Sequence, residues 1–172
     1  RGPNAPLCAL DACLPEMEFW LPAGRLHARE VDALCRQHLL PGVNRPQLPD
    51  AQLHGMLMGF ADLVFEHGGR YWVLDYKSNH LGADDAAYTA QALEAAMAQH
   101  RYEVQAALYM LALHRLLRAR LGDAYDPARQ LGGAVYLFLR GIDGPVGGCC
   151  TLPASLELLD GLDAMLQAKE GA

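Results

Sequence analysis

Asp62, Asp75 and Lys77 are the residues whose types and spacing point most directly to chemistry. They flank His67-Gly68-Gly69-Arg70, between two runs rich in aromatic and branched residues, Leu53 to Glu66 and Tyr71 to Lys77. That pattern reads as two strands of a hairpin. With Gly68-Gly69 as a two-residue turn, His67 faces Arg70; a looser loop pairing Glu66 with Tyr71 gives the same register. Counting back sets Asp62 opposite Asp75. Opposed residues have Cβ atoms about 5 Å apart, and like charges there are destabilising. Asp62 shares a strand face with Met58, Phe60 and Val64, and Asp75 shares one with Tyr71 and Val73. Two carboxylates on a largely apolar surface need a shared proton, a basic partner or a divalent cation. Hard oxygen ligands suit Mg2+, with Mn2+ as the alternative.

Lys77, two residues beyond Asp75, projects from the same face. An ammonium beside a metal site can orient or help deprotonate an attacking water and steady developing phosphate charge. An isolated D-x-K also fits a plain surface ion pair, with Asp62 capping a turn. Two observations weigh against that. The chain has 12 arginines and only two lysines, so lysine is not its default cation. The second is the opposed carboxylate itself.

These residues need elements to carry them. Residues 1–14 read as an irregular lead-in, and Glu16 to Leu21 as a short strand ended by Pro22. A helix is expected over 28–40, stopped by Pro41-Gly42, and a proline-containing loop then leads to the hairpin. Asp84 or Asp85 is the expected cap of a helix running to about Gln99. A second helix spans about Tyr102 to Leu121, ending at Gly122. Gly132-Gly133 opens a strand, Ala134 to Leu139, and a last helix follows Pro153. Strands and helices interleave, so the fold class is α/β, read as one domain over 1–172. Arg115 and Arg118 read as a solvated or partner-facing flank, and most of the seven histidines as surface or loop residues.

Composition narrows the function. A net charge of −6 argues against coating nucleic acid through a broad basic surface, though not against gripping a few phosphates in a cleft. The apolar stretches are too short and too often interrupted to span a bilayer, so no membrane partner is expected. Five cysteines, an odd number without a C-x-x-C pair, read as free thiols in a reducing, cytoplasmic setting. No G-x-x-x-x-G-K-[ST] loop is present, so ATP-driven unwinding is expected to belong outside these residues.

Several runs together resemble one family. Gly59-Phe60-Ala61-Asp62-Leu63-Val64-Phe65, the stretch YWVLDYKSNHL from Tyr71 to Leu81, and Gln105-Ala106-Ala107-Leu108-Tyr109 resemble the RecB-type nuclease domains of bacterial exodeoxyribonuclease V, within the PD-(D/E)XK nuclease superfamily. The late run from Gly132 to Gly141 and the early Glu16-Met17-Glu18-Phe19 resemble the same family, so the likeness covers about residues 16–142. D-x-K alone is weak; the ordered set is specific.

The resemblance implies a restriction-endonuclease-like PD-(D/E)XK core, a mixed central sheet flanked by helices. It implies that Asp62 and Asp75 ligate Mg2+ with the Tyr76 carbonyl as a third ligand, and that Lys77 is the catalytic lysine. Glu16 corresponds to an acidic residue of the family's site and is implied as a further metal ligand, with Glu18 as fallback. Gln105 and Tyr109, four apart and so on one helix face, would line the site and touch DNA; the other reading of Tyr109 is a core tyrosine with a satisfied hydroxyl. The implied activity is magnesium-dependent hydrolysis of DNA at its ends, within a helicase–nuclease for double-strand break repair by recombination. The implied partners are DNA, RecC- and RecD-like subunits, and RecA as a possible docking partner. The alternative is a non-catalytic module that binds DNA or docks a recombinase. One departure stands out. The family brings a histidine ligand from a helix ahead of the first strand, whereas the first histidine here is His27, so the ligand is expected upstream.

Overall fold

A computed structural model describes residue 3, residue 10 and residues 12–167. Most of the expected lead-in lies outside the described residues. The elements in order are β1 (Ala12–His27), α1 (Ala28–His38), β2 (Gln52–His67), β3 (Arg70–Lys77), α2 (Ala90–Gln99), α3 (Tyr102–Leu121), α4 (Pro127–Gln130), β4 (Leu131–Phe138), β5 (Cys149–Pro153) and α5 (Leu156–Gln167). The strands form one five-stranded sheet in the order β1-β2-β3-β4-β5. β3 and β4 are parallel and the other neighbours antiparallel. The sheet is therefore mixed, as the family resemblance implies. Parallel pairing demands a long crossover, and α2 and α3 supply it.

The hairpin between β2 and β3 follows the derived register, with His67 against Arg70 and Glu66 against Tyr71. Gly68 and Gly69 both have positive φ, 61° and 73°, as a two-residue turn matching the strand twist requires. Glu66 Oε1 accepts from Gly69 N–H at 2.7 Å and braces the turn.

Several boundaries differ from the sequence reading. β1 starts at Ala12 and runs through Pro22 to His27, far beyond Leu21. It lies at the edge of the sheet, where a residue without an N–H costs no ladder bond on the open side. Asp84 caps only a single 3-10 turn, Asp85–Ala87. The cap of α2 is Thr89, whose hydroxyl accepts from Ala92 N–H at 3.2 Å. α4, whose Asp126-Pro127 start is a helix-start signal, and β5 were not among the expected elements. β5 is a five-residue strand after Gly147-Gly148, whose composition reads as loop.

The main core lies on one sheet face and joins Met17, Leu21, Val64 and Val73 to Met97, Met110, Leu111, Leu113, Leu158 and Leu162 of the helices. A smaller cluster, Phe65, Trp72, Leu74 and Val135, occupies the other face. Gly132 lies beneath Trp72, where a Cβ would come within 2.3 Å of the indole, so this strand opening requires glycine. His114 is buried on α3 rather than at the surface, with Nδ1 3.1 Å from the Tyr125 hydroxyl. Arg115 is no free flank either: Nε reaches Asp163 Oδ1 of α5 at 2.6 Å. No helix among the described residues is long and apolar enough to cross a membrane.

An ion network fixes the start of α3. Arg101 takes a left-handed φ of 57° between α2 and α3. Its Nε donates to Glu103 Oε1 at 2.7 Å, NH2 to Asp32 Oδ1 at 2.5 Å, and NH1 to the Pro46 carbonyl at 2.8 Å. Arg45, buried in the 39–50 loop, lies 3.4 Å from Glu103 and donates to the Leu39 carbonyl at 3.0 Å. A strained backbone at a non-glycine residue persists only where its surroundings over-determine it. Here α1, the loop and α3 do so together.

Candidate active site

The last ladder pair of the hairpin is Leu63 with Leu74. One step further in the same register stand Asp62 and Asp75, where β3 parts from β2 and continues only with β4, Asp75 beside Tyr136 and Lys77 beside Phe138. The Tyr76 N–H would lose its partner at that fork. Asp62 Oδ2 accepts it at 2.8 Å. One carboxylate thus bridges the mouth of the fork while remaining exposed, and the other, Asp75, is 5 % exposed.

Burial pushes the Asp75 carboxyl above the usual carboxylate range. The Lys77 ammonium beside it pulls the other way, and the charge of Asp62 adds to the upward push. Lys77 Nζ lies 2.5 Å from Asp75 Oδ2 and donates to Gln105 Oε1 at 3.0 Å. Gln105 Nε2 in turn donates to the Tyr109 hydroxyl at 2.8 Å, and that hydroxyl donates to the Phe60 carbonyl at 2.6 Å. The chain of contacts runs from β3 through α3 back to β2, two residues from Asp62.

Gln105 and Tyr109 do share one helix face, and Gln105 touches Lys77 directly. Tyr109 is also a core tyrosine: it is buried, its hydroxyl is satisfied, and its ring meets Phe19 edge-on at 5.4 Å. Burial first, then the charge of Asp75, pushes its hydroxyl up to about 12. It is therefore a neutral hydrogen-bonding group at ordinary pH.

Glu16 drops out of the β1–β2 ladder between Pro15 (against Leu63) and Met17 (against Ala61), with a φ of 52°. Its position in the register faces Asp62, and its side chain is exposed. Glu18 pairs with Phe60 and accepts from Trp20 Nε1 at 3.1 Å. A cavity of about 800 Å³ lies between β1 and the C-terminal half of α3, and neither Asp62 nor Asp75 lines it. Leu14, Phe19, Leu113, Leu116 and Leu117 make it mostly apolar, with Glu16, Glu18, Glu66 and Arg120 among its lining.

The donors at the fork fit a hard divalent cation: two carboxylates, one buried with its charge disfavoured, and the Tyr76 carbonyl one residue on. Among the described residues no three His, Cys, Asp or Glu side chains stand close enough together to hold a metal ion. Protein ligation would thus rest on two side chains and a main-chain oxygen, with water completing the shell, as suits magnesium.

Sequence reasoning missed Tyr102 and Tyr136. Lys77 Nζ sits 4.0 Å from the Tyr102 ring centroid and 5.3 Å from that of Tyr136. The buried Tyr136 hydroxyl is 3.1 Å from both Gln105 Oε1 and the Tyr102 carbonyl. Tyr102 lies three residues before Gln105, a helical spacing that was legible but carried no chemistry by itself.

A fork between antiparallel and parallel neighbours, with an acid on each prong and D-x-K on the second, defines a class of nuclease core. The chain belongs to the PD-(D/E)XK nuclease superfamily, whose sequence signature matches residues 17–165. Within that class it is similar to the RecBCD enzyme subunit RecB of Escherichia coli, 55% identical over 129 residues, or 74% of this chain and 11% of that protein. RecB of Mycobacterium tuberculosis is 50% identical over 151 residues, 76% of this chain and 14% of that protein. RecB of Haemophilus influenzae is 42% identical over 158 residues, 89% and 13%. The resemblance to the RecB nuclease domain is borne out. The chain spans only about a tenth to a seventh of the length of these relatives.

Proposed function

We propose that this chain is a single magnesium-dependent nuclease domain that hydrolyses DNA phosphodiester bonds at DNA ends. The observation that carries the reading is the fork: Asp62 and Asp75 stand one step beyond the last hairpin pair, Asp62 accepts from the Tyr76 N–H, and Lys77 is ion-paired with Asp75. A divalent cation held by Asp62, Asp75 and the Tyr76 carbonyl would supply positive charge to the phosphate and lower the pKa of a bound water. Lys77, held by Asp75 and Gln105, presents a fixed ammonium beside that position, able to orient the attacking water and offset developing charge. Gln105 holds Lys77 at the site, and the buried Tyr109 braces Gln105 against Phe60 from behind rather than touching DNA. Glu16, opposite Asp62 in register, is the candidate for a further acidic contact.

The RecBCD names of the relatives support a wider setting. The chain would act in the cytoplasm within a helicase–nuclease, beside RecC- and RecD-like subunits, in recombinational break repair, with RecA as a further partner. The test is degradation of linear single- and double-stranded DNA with magnesium, by the wild type and by Asp62→Asn and Asp75→Asn. The wild type should cut and both variants should not. Binding without cleavage by all three would leave a DNA-docking module instead.

A further inference from the structure

Two oxygens and an aromatic face hold the Lys77 ammonium. Asp75 Oδ2 and Gln105 Oε1 take two directions, and the Tyr102 ring, 4.0 Å away at its centroid, covers a third. We propose that Tyr102 is a positioning residue for Lys77, its ring face holding the ammonium against Asp75. Its consequence for turnover rests on the nuclease reading above; its consequence for the lysine does not.

A lysine stem is flexible and its head a rotatable point charge, so one carboxylate does not fix where it points. Gln105 Oε1 is shared with the Tyr136 hydroxyl at 3.1 Å, so it is not reserved for the lysine. A cation over a ring face gains electrostatic attraction, and more so where water is kept away. Lys77 meets that condition, since its side chain is 12% exposed.

The ring is itself immobilised. Tyr136 stacks on it at 6.0 Å and 15°, and His100 at 5.2 Å and 16°. The Tyr102 carbonyl accepts from the Tyr136 hydroxyl, and its own hydroxyl is 3.4 Å from Asn79 Oδ1. Behind it, Arg101 and Glu103 pin the first turn of α3. The contact to Lys77 uses the face of the ring and not the hydroxyl, so phenylalanine should replace tyrosine and an aliphatic residue should not.

The chain's only other lysine is Lys169, so a Lys169→Arg background with 13C-labelled lysine gives one lysine signal. In that background the Lys77 ε-methylene protons should resonate upfield, shielded by the ring. Tyr102→Phe should keep that position, and Tyr102→Leu should move the signal downfield toward that of a free lysine, with the Tyr136 ring at 5.3 Å leaving a residual shift. On linear DNA with magnesium, Tyr102→Leu should lose kcat roughly tenfold, the equivalent of about 1.4 kcal/mol in the barrier. KM should stay within about twofold, and Tyr102→Phe should restore kcat. Tyr102→Met, ringless and closer in length, repeats both measurements if leucine unfolds the helix start. An unmoved lysine signal in the ringless variants overturns the proposal, as does a moved signal with unchanged kcat. If no protein cleaves DNA, the nuclease reading fails while the lysine signal still decides what Tyr102 does.

Discussion

Asp62 and Asp75 stand at one rung of the hairpin register yet meet different surroundings. Asp62 is exposed and spends one oxygen on the Tyr76 N–H; Asp75 is buried, and burial and the charge of Asp62 both work against its ionised form. Asp75→Asn should therefore leave the metal-free protein no less stable at neutral pH and should abolish the rise in melting temperature expected when magnesium is added to the wild type, because ligation of the native state produces such a rise. Melts with chelator and with magnesium check this; a variant still stabilised by magnesium as much as the wild type would remove Asp75 from the ligand set. Lys77→Arg should fold normally and lose at least about a hundredfold in kcat, within the range that positioned proton-transfer groups supply. A guanidinium is larger and keeps its proton, and the space between Asp75, Gln105 and Tyr102 suits a compact ammonium. The hairpin register that carries the two acids to the fork was readable because a two-residue glycine turn leaves one register. The lysine's other neighbours were not, because Gln105 and Tyr136 reach it across 28 and 59 positions through a helix packing that no local pattern encodes.

At the scale of elements, α3 matters most, since its first turn presents Tyr102 and Gln105 to β3. The sequence marks its span well: the glycine stop at 122 and the apolar run match the helix. What it does not mark is how that helix is aimed. Aim comes from the ion network joining Asp32 of α1, Arg36, Arg45, Arg101 and Glu103, residues that separately read as ordinary surface charges. The full length of β1 is hard to see in the sequence for a related reason: proline ends a central strand but is tolerated on an edge one, and edge position is a property of the whole sheet. The network also sets a pH dependence. Burial alone would raise the Asp32 carboxyl, but hydrogen bonds from Arg101 and Arg36 outweigh it and hold the group below its ordinary value. A carboxylate with a depressed folded pKa contributes stability that is present above its unfolded value and lost as pH falls through the folded one. The wild type should thus lose stability below about pH 4, and Asp32→Asn should show a shallower acid limb in urea titrations with reduced stability at neutral pH. Parallel wild-type and variant curves would show that the network does not respond to acid.

Across the whole molecule, charge is the property that bears on function. The chain carries −6, and several arginines are already committed: Arg36, Arg45 and Arg101 to Asp32 and Glu103, and Arg115 to Asp163. Beside the fork, among the described residues, stand Lys77 and Arg140, whose Nε donates to the Ser78 carbonyl at 3.0 Å. Binding to DNA releases about 0.9 counterion per phosphate neutralised, so the slope of affinity against salt counts these contacts. Two contacts predict a slope near −2 and only about a tenfold loss of affinity from about 50 to 200 mM salt, against a thousandfold or more for proteins with six to ten contacts. Fluorescence anisotropy of a labelled oligonucleotide with Asp75→Asn in chelator, which cannot cut, measures that slope. A shallow slope with weak binding would mean that these residues grip DNA through few phosphates. A slope steeper than about −5 would reveal a basic track that these residues do not account for, and would make the isolated domain a DNA-binding unit in its own right.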